Sequence, residues 1–371
     1  MRFLRGLIPF LVLALAGCFN FEGAYDRYCQ LNKCSDGGTG GGAAGGSGGG
    51  AAGGGAGGGG VADAGPADAG PPTCDAGLCF VRSYDVPKLQ MWSVWAVSPT
   101  NVFAGGFNGT VVRFDGNTFA PTTTPLMTGP IWGVHGAAPT NVWAVGSTGF
   151  NTNQWNGASW VPHTNPAGNG SMYGVYGLPN GIEALSITSQ GQVLRWTGTA
   201  WTVAASVMTP GNWFEDIHGC DGDDAWMVTY EGSVYRYSSD GGMVREFTGT
   251  TNLDAVYCHP TTGVWAVGSS GLVLARDNDA GSWSTVNLGL TANLNGIYIS
   301  SAGEPWIVGS NRTLVRVVDG GAVSYNLPPY NLATFTDVAG TGDSIWVTGL
   351  YSQSATFDGG VIAQYLSTPP P

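Results

Sequence analysis

Three observations predict an all-β chain folded as a seven-bladed β-propeller. A branched apolar residue recurs as Val94, Val134, Val175, Ile217, Val256, Ile297 and Val338, at spacings of 40, 41, 42, 39, 41 and 41 residues. Each interval holds four short β-rich runs bounded by Gly, Asn, Pro or Asp, and none shows helical periodicity. Four strands in about 40–45 residues is the content of one blade, so seven copies predict seven blades.

Composition narrows the reading. The chain has 371 residues, 62 of them glycine; only 10% are charged and the formal net charge is −12. Glycine at this level without a G-X-Y period excludes collagen. Two lysines, Lys33 and Lys88, in an acidic chain leave no basic stripe for nucleic acid. Fourteen each of Trp, Tyr and Phe supply a large core.

Residues 1–17 read as a signal peptide: Arg2 and Arg5, an apolar run too short to span a bilayer, then small residues. Leu15-Ala16-Gly17-Cys18 resembles the bacterial lipobox, which implies lipidation at Cys18. Phe19 is not the aspartate that retains such lipoproteins at the inner membrane, so the resemblance implies a lipid-anchored outer-membrane protein, its side unspecified. Residues 18–36 form the lipidated N-terminus. Residues 37–73 follow as a tether: 17 of the 24 residues from Gly37 to Gly60 are glycine, and nothing there offsets the entropy of ordering. A flexible chain of that length spans about 30 Å.

With Cys18 spent on lipid, six cysteines remain: Cys29, Cys34, Cys74, Cys79, Cys220 and Cys258. An even number in an exported chain predicts disulfides. The C-x4-C pairs Cys29/Cys34 and Cys74/Cys79 permit local loops; Cys220 and Cys258 sit just past the marker strands of adjacent blades, within reach of a staple.

The propeller is expected over residues 78–367, with a proline tail at 368–371. The seventh copy lacks a fourth strand, and the strand-like run 79–84 before the first copy is expected to supply it, removing an exposed sheet edge. Nine residues after each marker stands a Trp-type slot (Phe103, Trp143, Trp226, Trp265, Trp306), with Trp346 one residue early and Ala184 the exception. Arg113, Arg195, Arg236 and Arg316 share a slot on the third strand and are expected to brace a neighbouring blade. Asp221-Gly222-Asp223-Asp224 reads as turn chemistry, with a calcium loop as the sharper alternative. His135 and His218 share a slot with Trp95, Tyr176, Tyr257 and Tyr298. No metal or cofactor motif is present.

The turn Asn278-Asp279-Ala280-Gly281-Ser282-Trp283, with shorter versions at Asp115–Phe119, Asn156–Trp160 and Thr197–Trp201, resembles that of Asp-box propellers. These include the bacterial neuraminidase repeat type and related assembly-factor and sortilin-like propellers. Leader, tether and propeller together look like the lipoproteins common in myxobacteria.

One slot, two residues before the marker, is aromatic in copies one to three (Trp92, Trp132, Tyr173) and acidic or polar in the rest (Glu215, Asp254, Asn295, Thr336). With Trp213, and with inter-blade loops expected on the same face, it is the candidate ligand site. The function read from the sequence is a non-catalytic, membrane-anchored propeller that binds or scaffolds an envelope protein or glycan. A neuraminidase-like glycan hydrolase is the alternative, drawing on Glu215, Asp216, Asp254 and Asp337.

Overall fold

The computed structural model describes residues 73–367 apart from 88, 126, 148–150, 165, 167–169, 208–212, 221–223, 330–331 and 352–358. The leader, Cys18, the Cys29/Cys34 pair, the glycine tether and the proline tail lie outside the described residues. All that is described belongs to the unit Ala64–Pro371.

The described chain forms seven antiparallel sheets; in six the chain runs outward through strands a to d, and in the seventh it runs through a to c and an N-terminal strand takes the place of d. Strands a are Met91–Ser98, Ile131–Ala138, Met172–Gly177, Phe214–Gly219, Leu253–His259, Leu294–Ile299 and Leu332–Thr341. Each packs against strand a of the next blade, the seventh against the first, so the recurring marker lies on the innermost strands of a closed ring. Their mutual approach is close. A Cβ built on Gly133 would come 3.1 Å from Gly174 Cα and from Tyr173 O, so a side chain there would press on the neighbouring backbone.

The closing strand is Leu78–Pro87, which pairs with Gly359–Leu366 of blade seven from Cys79↔Leu366 to Pro87↔Gly359. It is longer than the predicted 79–84. A short strand, Cys74–Asp75, adds a fifth to that sheet, and Cys74 and Cys79 are disulfide-bonded.

The blades are joined by aromatic side chains. Trp346 of blade seven packs on Phe114 and Phe119 of blade one, with ring centroids 5.1 and 6.1 Å apart. Phe103 meets Trp155 and Trp160 of blade two, at 5.9 and 6.0 Å. Trp143 of blade two meets Trp196 and Trp201 of blade three, both at 5.2 Å. The donor is always strand b and the receivers strands c and d of the next blade. Register also resolves the two irregular copies. Tyr176 faces Leu185, not Ala184, and Ala339 faces Trp346, because the a–b turn is one residue longer in blade three and one shorter in blade seven.

The arginine slot differs from expectation. Arg195 pairs with Glu183, Arg236 with Asp224 and Arg316 with Glu304, while Arg113 donates to Asn101 Oδ1 at 3.0 Å. Each partner stands at the start of strand b of the same blade, because strands b and c are hairpin neighbours. The guanidinium groups of Arg113, Arg236 and Arg316 also lie over the rings of Phe103, Trp226 and Trp306. Arg113 alone meets the expectation, its guanidinium also lying 5.2 Å from the ring centroid of Trp155 in blade two; outside the slot, Arg276 Nε donates to Glu246 Oε2 of blade four at 2.8 Å. Asp224 is thus an arginine partner; Asp221 to Asp223 lie outside the described residues. The c–d turns of blades one and five carry Asx caps: Asp115 Oδ1 accepts from the backbone N–H of Asn117 and Thr118, and Asp277 Oδ1 from those of Asp279 and Ala280.

Deleting residues 79–84 should strip blade seven of its outer strand and lower Tm by more than about 10 °C, read by differential scanning calorimetry. Trp143→Ala should cost about 3–5 kcal/mol in urea denaturation, the range for a buried aromatic truncated to alanine.

Candidate functional site

The slot flagged by its composition has a common backbone cause. In every blade the a–b ladder slips register there: between Met91 and Ser93, Ile131 and Gly133, Met172 and Gly174, Phe214 and Asp216, Leu253 and Ala255, Leu294 and Gly296, and Phe335 and Asp337. The skipped residues are Trp92, Trp132, Tyr173, Glu215, Asp254, Asn295 and Thr336. A β-bulge re-aims its extra side chain, so seven bulges give a ring of seven re-aimed side chains around the innermost strands.

Three of them meet. Trp92 and Trp132 have ring centroids 5.8 Å apart, Trp132 and Tyr173 5.9 Å, and Phe107 adds a fourth ring 5.9 Å from Trp92. Around the ring follow Glu215 and Asp254, both buried. Burial pushes the Glu215 carboxyl up to about 8, with Asp254, Glu231 and Asp216 adding to the effect. Burial alone raises Asp254 to about 7. Asp254 Oδ2 has no hydrogen-bond partner among the described residues. The last two members are committed to the next blade: Asn295 Nδ2 donates to Phe335 O at 2.7 Å, and Thr336 Oγ1 to Met91 O at 2.9 Å. Trp213 stands apart from the aromatic row; it is 42% exposed at the rim beside strand a of blade four.

These positions share a face with the inter-blade loops, because each b–c turn is hydrogen-bonded to the segment leading into its own blade. Phe107 N donates to Gln90 O, Ser189 N to Ser171 O, Tyr230 N to Trp213 O and Ser310 N to Asn293 O. The segment 352–358, the b–c connection of blade seven, lies outside the described residues.

One residue beyond the bulge, Asp216 and Asp337 act as latches. Asp216 Oδ2 accepts from Val256 N of blade five at 2.9 Å, and Asp337 Oδ2 from Val94 N of blade one at 2.8 Å. Their second oxygens accept from the adjoining backbone N–H groups of Ile217 and Val338. Burial raises Asp216 to about 6 and Asp337 to about 8, against the pull of those N–H groups, and Asp216 adds to the rise at Asp337. The Asp337 latch joins the last blade to the first.

Past the marker, the shared aromatic slot forms a second ring. Trp95 packs on His135, His135 on Tyr176, Tyr176 on His218, His218 on Tyr257 and Tyr257 on Tyr298, with centroids 3.7, 5.1, 5.3, 3.9 and 5.5 Å apart. His135 and His218 also approach each other to 5.5 Å. This layer was legible as a repeat slot, but not as a continuous stack. Each histidine accepts a backbone N–H from the next blade at Nδ1, from Gly177 and Cys258 respectively. An accepting Nδ1 leaves the proton on Nε2, so neither ring offers a free Nε2 lone pair to a metal. Among the described residues no cluster of three or more His, Cys, Asp or Glu is placed to hold one. Cys220 and Cys258 form the expected staple between blades four and five, with Cα atoms 4.8 Å apart.

The buried titratable groups set opposing pH limits. The carboxyls of Glu215, Asp216, Asp254 and Asp337 titrate higher folded than unfolded, so their contribution is full below about pH 4 and is lost as pH rises through 6 to 8. Burial lowers His218 to about 3 and His135 well below its usual value; their contribution is full above about 6.5 and lost as pH falls toward 3. With four carboxyls set against two histidines, Tm should peak at about pH 4 and decline toward pH 9, and the double variant Glu215→Gln/Asp254→Asn should flatten the alkaline limb in a thermal-melt series.

No family model matches the chain, and no curated protein matches it in sequence. Solved structures match in fold. One is YCF48 bound to a D1 peptide, at 15% identity and TM-score 0.62, covering 81% of this chain and 97% of that one. Another is the WD40 β-propeller domain of Doa1, at 12% identity and TM-score 0.64, covering 78% and 97%. A third is virginiamycin B lyase from Staphylococcus aureus, at 11% identity and TM-score 0.66, covering 78% and 98%. By architecture, then, the chain is a seven-bladed β-propeller, a scaffold that these neighbours use for both binding and catalysis.

Proposed function

We propose that this protein is a lipid-anchored outer-membrane lipoprotein whose propeller binds an envelope protein or glycan without catalysis. The observation that carries the binding role is the bulge ring: an aromatic row from three blades beside two buried carboxylates, on the face that gathers the inter-blade loops. Aromatic surface with a few convergent polar groups is what ligand sites are made of. The fold of YCF48, seen with a bound peptide, supports a peptide or protein partner. The anchor rests on the signal-like leader and Cys18, with the glycine tract as spacer.

Two of the four candidate acids are committed to the fold. Asp216 and Asp337 spend both oxygens on backbone N–H groups, which leaves Glu215 and Asp254 as the carboxylates free for chemistry. Glycoside hydrolysis through that pair is the second reading, favoured by their raised and neighbouring titrations.

Screening the full chain against glycans and envelope proteins should yield a ligand whose affinity falls at least tenfold in Trp92→Ala and Trp132→Ala while circular dichroism still reports the folded ring. Cys18→Ser should abolish palmitate labelling. Turnover of a glycan hit, lost in Glu215→Gln, would reverse the choice between the two readings.

A further inference from the structure

We infer that the bulge ring is a receptor for an organic cation, an alkylammonium or guanidinium group held between the Trp92–Trp132–Tyr173 row and the Glu215–Asp254 pair. The inference rests on the binding role proposed above and assigns the chemistry of what is bound.

Both halves of the ring select for positive charge. The aromatic row brings three rings into continuous contact, and ring quadrupoles attract cations. The facing half supplies carboxylates, which when ionised only accept hydrogen bonds. Asp254 Oδ2 is buried with no partner among the described residues, a costly arrangement that a donor brought by a ligand would relieve. Every charged group acting on Glu215 is itself acidic: Asp254, Glu231 from the b–c turn of blade four, and Asp216 behind it. Asp337, across the ring, acts in turn with Asp216. The local field is therefore unbalanced, and the net charge of −12 draws a cation toward it. Asn295 and Thr336 already donate to the neighbouring blade, so they do not compete for the carboxylates.

Proton linkage follows. The free site holds Glu215 largely and Asp254 about half protonated near neutrality, and a bound cation favours their ionised forms. Binding releases protons to the buffer, so affinity rises with pH up to about 8 and then levels off.

The test is calorimetric titration of the full chain, with tryptophan emission in parallel, at pH 6, 7.5 and 9. The probes are the capped tripeptides acetyl-Gly-Arg-Gly-amide and acetyl-Gly-Lys-Gly-amide, the small amines agmatine and cadaverine, the neutral acetyl-Gly-citrulline-Gly-amide, and chitotriose. Cationic probes should bind at least tenfold more tightly than the citrulline peptide, gain at least tenfold in affinity from pH 6 to 9, and release protons. Tighter binding of the peptides would assign the cation to a partner's side chain; tighter binding of the amines would assign it to a free small molecule. Glu215→Gln/Asp254→Asn should abolish both the preference and the pH dependence. If that variant does not fold, Asp254→Asn alone and the wild-type pH series decide. Equal binding of the citrulline peptide, cation binding unchanged in the acid variants, or binding of chitotriose alone overturns the inference. If cations fail but a screened ligand still depends on Trp92 and Trp132, the binding role stands and the cation receptor falls. A screened ligand indifferent to both tryptophans removes the site itself.

Discussion

A blade of this ring has no stable life alone, because its apolar face is buried only by the next blade. The aromatic side chain on strand b of one blade, lodged against strands c and d of its neighbour, is the contact on which the rest depends. Phe103, Trp143 and Trp346 repeat it with the same geometry. Buried aromatics each remove about 150–250 Å² from water, so the repeat of one contact supplies much of the driving force for the whole ring. The cost is that the contact must also be made between blade seven and blade one. Trp346 against Phe114, the Asp337 carboxylate on Val94 N, and the strand Leu78–Pro87 on blade seven all serve that one junction.

Closure also creates the site. Innermost strands that approach as closely as Gly133 and Gly174 leave little room for side chains on the axis. The bulge accommodates this by ejecting one residue per blade from the ladder, and those seven residues become a belt whose composition is free to vary. Three copies use the belt or its neighbour to tie blades together, through Asp216, Asn295, and Thr336 with Asp337. Trp92, Trp132, Tyr173, Glu215 and Asp254 form the remaining arc of the belt.

Much of this was legible in the sequence because repetition amplifies weak signals. The marker spacing located the innermost strands, the missing fourth strand of copy seven pointed to the run before copy one, and the offsets of Cys220 and Cys258 from their markers placed both at adjacent strand ends. The arc was singled out by the contrast between Trp92 and Glu215 at one repeat position. Its cause was not legible, since a bulge is a shift of register between strands and leaves no residue type behind. Arg195, Arg236 and Arg316 were misassigned for a related reason. Arg195 finds Glu183 twelve residues back, across a hairpin, and linear spacing from the marker does not show which residues a turn folds together. Leu185 was missed in favour of Ala184 because one extra residue in a turn moves the pairing by one place.

The closing strand has a consequence for assembly. Tyr84 pairs with Ile362, so one of the first segments of the ring to be synthesised waits for one of the last. Until then blade seven has an open edge, blade one lacks its aromatic partner, and no intermediate is fully sealed. Contacts this distant in sequence slow folding and prolong the lifetime of exposed strand edges. A chain built this way matures late and all at once, and its demand for chaperoning is greatest just before its final strand arrives.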